Sequence, residues 1–361
     1  MAFGQNLANQ EGLSMRMSAF AILLSVVFAG NWPRLLGQET AERPAATLLK
    51  PDRSVELFGQ NEDSAGYHVL SIAASSRYVY ALGVRAGGGA AFVLKSDYPP
   101  GGQPSIQRTL PPGHFADITL ANNGTLLLRQ MERDSHSGTS RQLLIRLDPD
   151  TLDETHRSTP NEVTLYDVSA FDQDTYFGIS QHRELIRIDP QGQNVVGLLG
   201  VSPQSPDDMV FLPWHFAWLN SRILLAVSAA DGTMVRFDTV TSEISRIQIQ
   251  PDIIAEPLGL CAQAAGGAIA NRQCPAVRAV FGGRSDRLLV LLTNHRRSEG
   301  KPLIEIDGSG RVLARYRLEL PSDQGSVRRF VPARVAHSDG RLFVTSPSGQ
   351  MVVYTVPNLN P

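Results

Sequence analysis

The sequence is short of cysteine, of lysine and of net charge, and each shortage removes a class of function. Cys261 and Cys274 are its only cysteines in 361 residues, and no histidine pair stands near them to complete a zinc set. Their spacing suits one disulfide closing a small loop, worth about 3 kcal/mol if unstrained; two buried thiols are the alternative. Lys50, Lys95 and Lys301 are the only lysines among 33 basic residues. The rest are arginine, the residue better suited to bidentate carboxylate or phosphate contacts, although a GC-rich coding bias yields the same composition. A net charge of −2 leaves no surplus to neutralise phosphates, which excludes a general nucleic-acid binder. No Gly-x-Ser-x-Gly elbow, HExxH, Walker A or dinucleotide fingerprint occurs. A catalytic site assembled from separate segments would leave no such motif, so whether the chain is an enzyme stays open at this level.

Long apolar runs are scarce as well. Residues 19–29 form one of about a dozen, short of the roughly 20 that a bilayer span takes. Arg16 precedes it, and Val27-Phe28-Ala29 places small residues where a signal peptidase cuts. Residues 1–30 therefore fit a secretory signal, with Met15 or Met17 as the true start, and 31–45 fit a linker. The expected location is the periplasm or the cell exterior. The alternative is an uncleaved N-terminal anchor, the one route by which the chain would touch a membrane. No cysteine follows the run, so a lipid anchor there is excluded.

What the sequence does have is repetition. The stretch "LIRIDPQG" at 185 returns as "LIRLDPDT" at 144, "MVRFDTVT" at 234 and "LIEIDGSG" at 303. Anchored on Asp97, Asp148, Asp189, Asp238 and Asp307, the copies stand 51, 41, 49 and 69 residues apart, and a degenerate sixth, "VVYTVP", ends at Pro357. Before each copy come two short apolar segments, and after most comes one more. Four short strands at a period near 50 describe a β-propeller blade. The expected fold is all-β, six four-stranded blades over residues 46–361, with the tetrad as each third strand and its Asp capping the following turn. The last blade lacks a fourth strand, and "SVELFG" at 54 is a spare one. It is expected to complete that blade and close the ring. No helix-period segment is expected outside the signal. The region 251–277 is expected to be an insertion between blades 4 and 5, clipped by the disulfide.

The stretches "HRELIRIDPQG" at 182 and "DVSAFDQDTYFGIS" at 167 resemble the strands of NHL-repeat and TolB-like six-bladed propellers. The resemblance extends over the chain after about residue 50 and implies the propeller fold, with functional sites on the face that carries the blade-to-blade connections and in the central channel. The Pro-x-Gly step common in NHL units is mostly missing here.

The residues entering each first strand are His68, Asp117, Asp167, His215, Arg278 and Arg334. If they align, they ring the channel mouth. His68, Asp117, Asp167 and His215 would then suit one divalent metal, the only cofactor that any pattern suggests, and Arg278 and Arg334 an anionic group. Against this stands a structural reading, in which these groups bond to one another or to neighbouring backbone and stabilise the ring. Trp214 and Trp218 around His215 could stack on a sugar or could pack between blades. Long connections at 129–142, 251–277 and 293–302 decorate one face. Two functions follow: an exported, monomeric scaffold for a protein or glycan partner, or a metal-dependent hydrolase or lyase of the lactonase-like propeller type.

Overall fold

A computed structural model describes residues 45–357 except 59–65, 88, 99–105, 122–123, 134–139, 159–164, 173–174, 181–183, 190–191, 200–213, 256, 258–274, 283–285, 294–299 and 322–333. Residues 1–30, expected to be a signal, and Cys261 and Cys274 with their expected disulfide lie outside the described residues. Among the described residues no helix is long and apolar enough to cross a membrane.

The strands form six sheets. Blade 1 is β3 (Tyr67–Ala74), β4 (Tyr78–Arg85), β5 (Ala91–Asp97) and β6 (Ile106–Thr109). Blade 2 is β7 (His114–Leu120), β8 (Leu126–Arg133), β9 (Ser140–Leu147) and β10 (Glu154–Arg157). Blade 3 is β11 (Leu165–Ala170), β12 (Tyr176–Ser180), β13 (Glu184–Asp189) and β14 (Gly192–Leu198). Blade 4 is β15 (Trp214–Trp218), β16 (Ile223–Ser228), β17 (Thr233–Asp238) and β18 (Ile244–Gln248). Blade 5 is β19 (Val277–Gly282), β20 (Arg287–Leu292), β21 (Lys301–Asp307) and β22 (Val312–Leu318), and blade 6 contains β23 (Arg334–Ser338), β24 (Arg341–Thr345) and β25 (Gln350–Thr355). Each tetrad copy is a third strand. The second and third strands are almost wholly buried because both their faces meet other blades; β16 and β12 have no exposed residue.

The Asp that ends a tetrad makes its own turn. Asp148 Oδ1 accepts from the amides of Asp150 and Thr151, both at 2.8 Å. Asp238 repeats this with Val240 and Thr241, and Asp307 with Ser309 and Arg311. These short-range bonds pin the third-to-fourth hairpin where period-2 patterning alone would allow slippage.

The spare strand closes the ring. β2 (Arg53–Glu56) pairs antiparallel with β25, from Arg53↔Val353 to Glu56↔Gln350, and becomes the outer strand of blade 6. Just upstream, β1 (Thr47–Leu49) adds a fifth strand to blade 5, parallel to β22. Leu49 is buried there among Leu303, Tyr316 and Leu318, and the Glu319 amide donates to its carbonyl at 2.9 Å. One short segment thus fastens both blade 5 and blade 6. The sequence patterning accounts for β2 and not for β1. A helical turn at 251–255 is also absent from the expectation; it buries Ile253 and Ile254 against the core between blades 4 and 5.

Two truncations separate the closing strand from the clasp. A chain starting at residue 51 loses only β1 and should still fold, with a lower melting temperature, since losing a buried Leu typically costs about 2–5 kcal/mol. A chain starting at residue 60 loses both strands and should not melt cooperatively. Equal melting of the two would contradict this account of closure.

Candidate functional site

First strands begin, second strands end and third strands begin at one face of the ring, called here the crossover face because the blade-to-blade connections lie there. The tetrad turns lie on the opposite, turn face. Crossovers are longest between blades 3 and 6, at 199–213, 249–276 and 319–333, whereas 110–113 and 158–164 join blades 1 to 3 and 57–66 joins blade 6 to blade 1.

The register shows which first-strand residues correspond. Counting three residues back from the hairpin pairs Leu120↔Leu126, Ala170↔Tyr176 and Trp218↔Leu224 reaches Asp117, Asp167 and His215, opposite Arg129, Ile179 and Val227. These three share one level of the ring. In blade 1 the same count from Ala74↔Val79 reaches Ser71 opposite Leu82, while His68 lies beyond a bulge, opposite Val84 and exposed. Arg278 is itself the bulged residue between Val277 and Ala279, and Arg334 opens β23 opposite Thr345. The six candidates share the face but not one level.

At that level, side chains reach from blade to blade. The Ser71 hydroxyl donates to the Ile118 carbonyl at 3.3 Å. Asp117 binds the Arg129 guanidinium through both carboxylate oxygens, and Arg129 donates onward to the Leu165 carbonyl of blade 3. Gln142 bonds both the amide and the carbonyl of Leu165, at 3.0 and 2.8 Å. Asp167 accepts from its neighbour Val168 and, across the boundary, from the Phe216 amide of blade 4, each at 2.9 Å. His215 bonds to the Val277 backbone of blade 5, and nearer the turn-face end of the inner strands His337 of blade 6 bonds to the Gly282 backbone of blade 5. Arg334 Nε donates to the Leu70 carbonyl of blade 1. Ser71, Arg129, Gln142 and His337 are partners that strand counting did not single out, because each is recognisable only by what it reaches in the next blade.

The protonation states follow from burial. Desolvation, with the nearby Asp117 charge, pushes the Asp167 carboxyl up to about 7, against the pull of Arg129 and of the Phe216 and Val168 amides. Burial holds His215 down to about 4, and His337 likewise, so both are neutral at pH 7. The two tryptophans pack between blades: Trp218 donates to Ser169 Oγ at 2.8 Å and stacks on Phe171 with centroids 5.5 Å apart, and Trp214 is buried in the same cluster. Among the described residues no three His, Cys, Asp or Glu side chains gather as a metal site.

Comparison with known proteins yields likenesses of fold. No protein-family model matches the chain, and no curated protein does. Among solved structures it is similar to a streptogramin B lyase, with 14% identity and a TM-score of 0.44 over 85% of this chain and 98% of the lyase. BamB from Moraxella catarrhalis gives 11% identity and a TM-score of 0.41 over 86% and 99% of the two chains. The WD40 β-propeller domain of Doa1 gives 9% and 0.45 over 85% and 97%. The protein is a six-bladed β-propeller. These likenesses say nothing about its ligand.

The titrations give a signed test. Between pH 6.5 and about 4 each buried neutral histidine binds fewer protons folded than unfolded, so stability falls on acidification by up to about 1.4 kcal/mol per pH unit per group. Asp167, raised from 3.8 to about 7, works in the opposite direction across that window, being more protonated when folded. In Asp167→Asn the melting temperature should therefore fall more steeply than in wild type from pH 6.5 to pH 4.5, and in His215→Gln less steeply. Parallel profiles in all three proteins would show that these groups are not buried as described.

Proposed function

We propose that the chain is an exported binding scaffold that presents its crossover face to a protein or glycan partner. The observation that carries this reading is the engagement of Asp117, Asp167 and His215. Each is bonded to an arginine or to the backbone of the next blade, which suits a rigid frame better than reacting groups. The long crossovers between blades 3 and 6 supply the variable surface that recognition commonly uses. Export rests on the N-terminal apolar run and its flanking residues.

Hydrolysis or lyase chemistry on a divalent metal is the second reading, because Asp117 and Asp167 lie close enough for one charge to raise the other's pKa. It requires Asp117 to release Arg129 and Asp167 to release the Phe216 amide. A stabilisation by Ca²⁺, Mn²⁺ or Zn²⁺ that disappears in Asp167→Asn would favour it over the scaffold.

The scaffold reading is tested by a photo-crosslinking residue at Glu319, exposed on the crossover face, and at Val240, 73% exposed on the turn face. In the native producing cell, Glu319 should give one discrete adduct in the exported fraction and Val240 none. Adducts of the same kind from both positions, or from neither, would sink the proposal, as would a chain retained in the cytoplasm.

A further inference from the structure

Each blade of the ring has one edge toward the outside, along its outermost strand, where unpaired backbone groups invite another chain. Shortness and charge guard most of these edges. Blades 1, 2, 4 and 6 end in β6, β10, β18 and β2, which have four or five residues and carry Arg108, Arg157, Arg246 and Arg53 respectively. In blade 5 the seven-residue β22 is covered by β1. β14 of blade 3 is equally long, and no described strand covers it. Its sequence, Gly-Gln-Asn-Val-Val-Gly-Leu, contains no charged residue and no proline.

This edge is also apolar where it meets water. Val195 and Leu198 are 57% and 58% exposed. They are three residues apart, yet a bulge at Val196 puts both on one side of the sheet. Val195 lies opposite Ile186 and Leu198 opposite Glu184, two residues of β13 that point the same way. On that side Ile186 packs against Leu127 and Leu144 of blade 2. The other side is closed: Gly197 lies against the Ile244 side chain of blade 4, and Val196 packs into the cluster between blades 3 and 4. A strand laid along β14 would therefore meet one open, apolar side.

We infer that β14 is a docking edge for an extended segment of a partner protein, uncharged and with apolar residues at alternate positions, which adds to blade 3 as a fifth strand. The molecule contains its own precedent. β1 lies on β22 through three residue pairs and is anchored by Leu49 among Leu303, Tyr316 and Leu318. β22 is itself bulged, between its pairs with Glu305 and Ile306, and β1 occupies the regular stretch beyond, from Tyr316 to Leu318. β14 offers a like stretch from Gly192 to Val195, paired with β13 without a shift. Backbone pairing along it supplies affinity, and the open side beside Val195 and Leu198 selects apolar side chains at every second position. A second copy is a poorer occupant, because it would bring β14 against β14 and two bulged strands would have to match in register. The edge is on the outer rim, apart from the crossover face, and the inference stands whether or not that face has a partner of its own.

The probe is a fluorescein-labelled hexapeptide of alternating threonine and valine, titrated against the full chain by fluorescence anisotropy beside the same peptide N-methylated at every residue. The chain should bind the first saturably and the second not at all, because N-methyl groups remove the donors that strand pairing needs. Amide exchange within β14 should slow in the first complex. Val195→Lys combined with Leu198→Lys should weaken binding by about tenfold or more, two apolar cross-strand contacts being lost, and should melt as wild type does, since both side chains are exposed. Val195→Lys alone should give a smaller loss and guards against misfolding of the double variant. Val240→Lys, at an exposed apolar residue of blade 4, should bind the peptide as wild type does. Binding that is absent, undiminished in the double variant, equally weakened by Val240→Lys or equal for the two peptides would overturn the docking edge. Light scattering decides between occupants: a wild-type dimer that the double variant dissolves would give the edge to a second copy and refute the partner segment.

Discussion

A blade buries both faces only when it has a neighbour on each side, and everything else in this molecule depends on meeting that condition six times around a ring. The second and third strands are apolar on both faces, with residues such as Leu82, Leu128, Ile179, Leu225 and Val290 buried. Any open boundary would expose a full sheet face to water and strand edges to pairing with other chains. Closure therefore has to be secured by something other than blade order. The N-terminal segment does it twice over, with β2 completing blade 6 and β1 lying along the outer edge of blade 5.

Polar bonds then set the register between blades that hydrophobic contact alone leaves loose. They lie in two belts. Near the channel, Ser71, Arg129, Asp167, His215, His337 and Arg334 each bond the backbone of an adjoining blade. Toward the turn face, Tyr80 donates to the Pro149 carbonyl, Arg146 to the Tyr176 hydroxyl and Asn220 to Asp286. Lys95 adds a buried ammonium that bonds Asp150 at 3.1 Å and lies 3.8 Å from the Tyr78 ring centroid. The neutral histidines and the raised Asp167 are consequences of the inner belt: groups recruited to bridge blades are taken out of water, and their charged forms become costly. The same burial that makes Asp117, Asp167 and His215 attractive as catalytic candidates is what the bridging role requires.

The fold was legible because its signal is local and repeated. The tetrad's alternation, the Asp that accepts from amides two to four residues on, and the spare "SVELFG" strand can each be read within a few residues. Asp117 and Asp167 could be aligned for the same reason, whereas His215 aligned only by allowing a one-residue deletion, and its equal count from the hairpin pair shows in the register alone. What escaped notice depends on distance or on a bulge. The first strands of blades 1, 2, 3 and 5 each carry a register shift, and a single extra residue moves a side chain to the other face without altering composition. That is why Ser71 takes the level expected of His68, and why Arg278 sits in the bulge itself. The clasp β1 is a three-residue strand with two exposed positions, too little pattern to distinguish it from a linker. Arg129 and Gln142 look like ordinary strand polars until the Leu165 backbone is seen beside them.

The central claim is that the polar side chains of the inner belt hold one blade to the next. Amide hydrogen exchange at Phe216 tests it most directly, because that amide donates to Asp167 across the boundary between blades 3 and 4. In Asp167→Ala the Phe216 amide should exchange far faster than in wild type. The Val69 amide, which bonds the Pro347 carbonyl between blades 1 and 6 at 2.8 Å, should keep its protection. Unchanged protection at Phe216 would contradict the account.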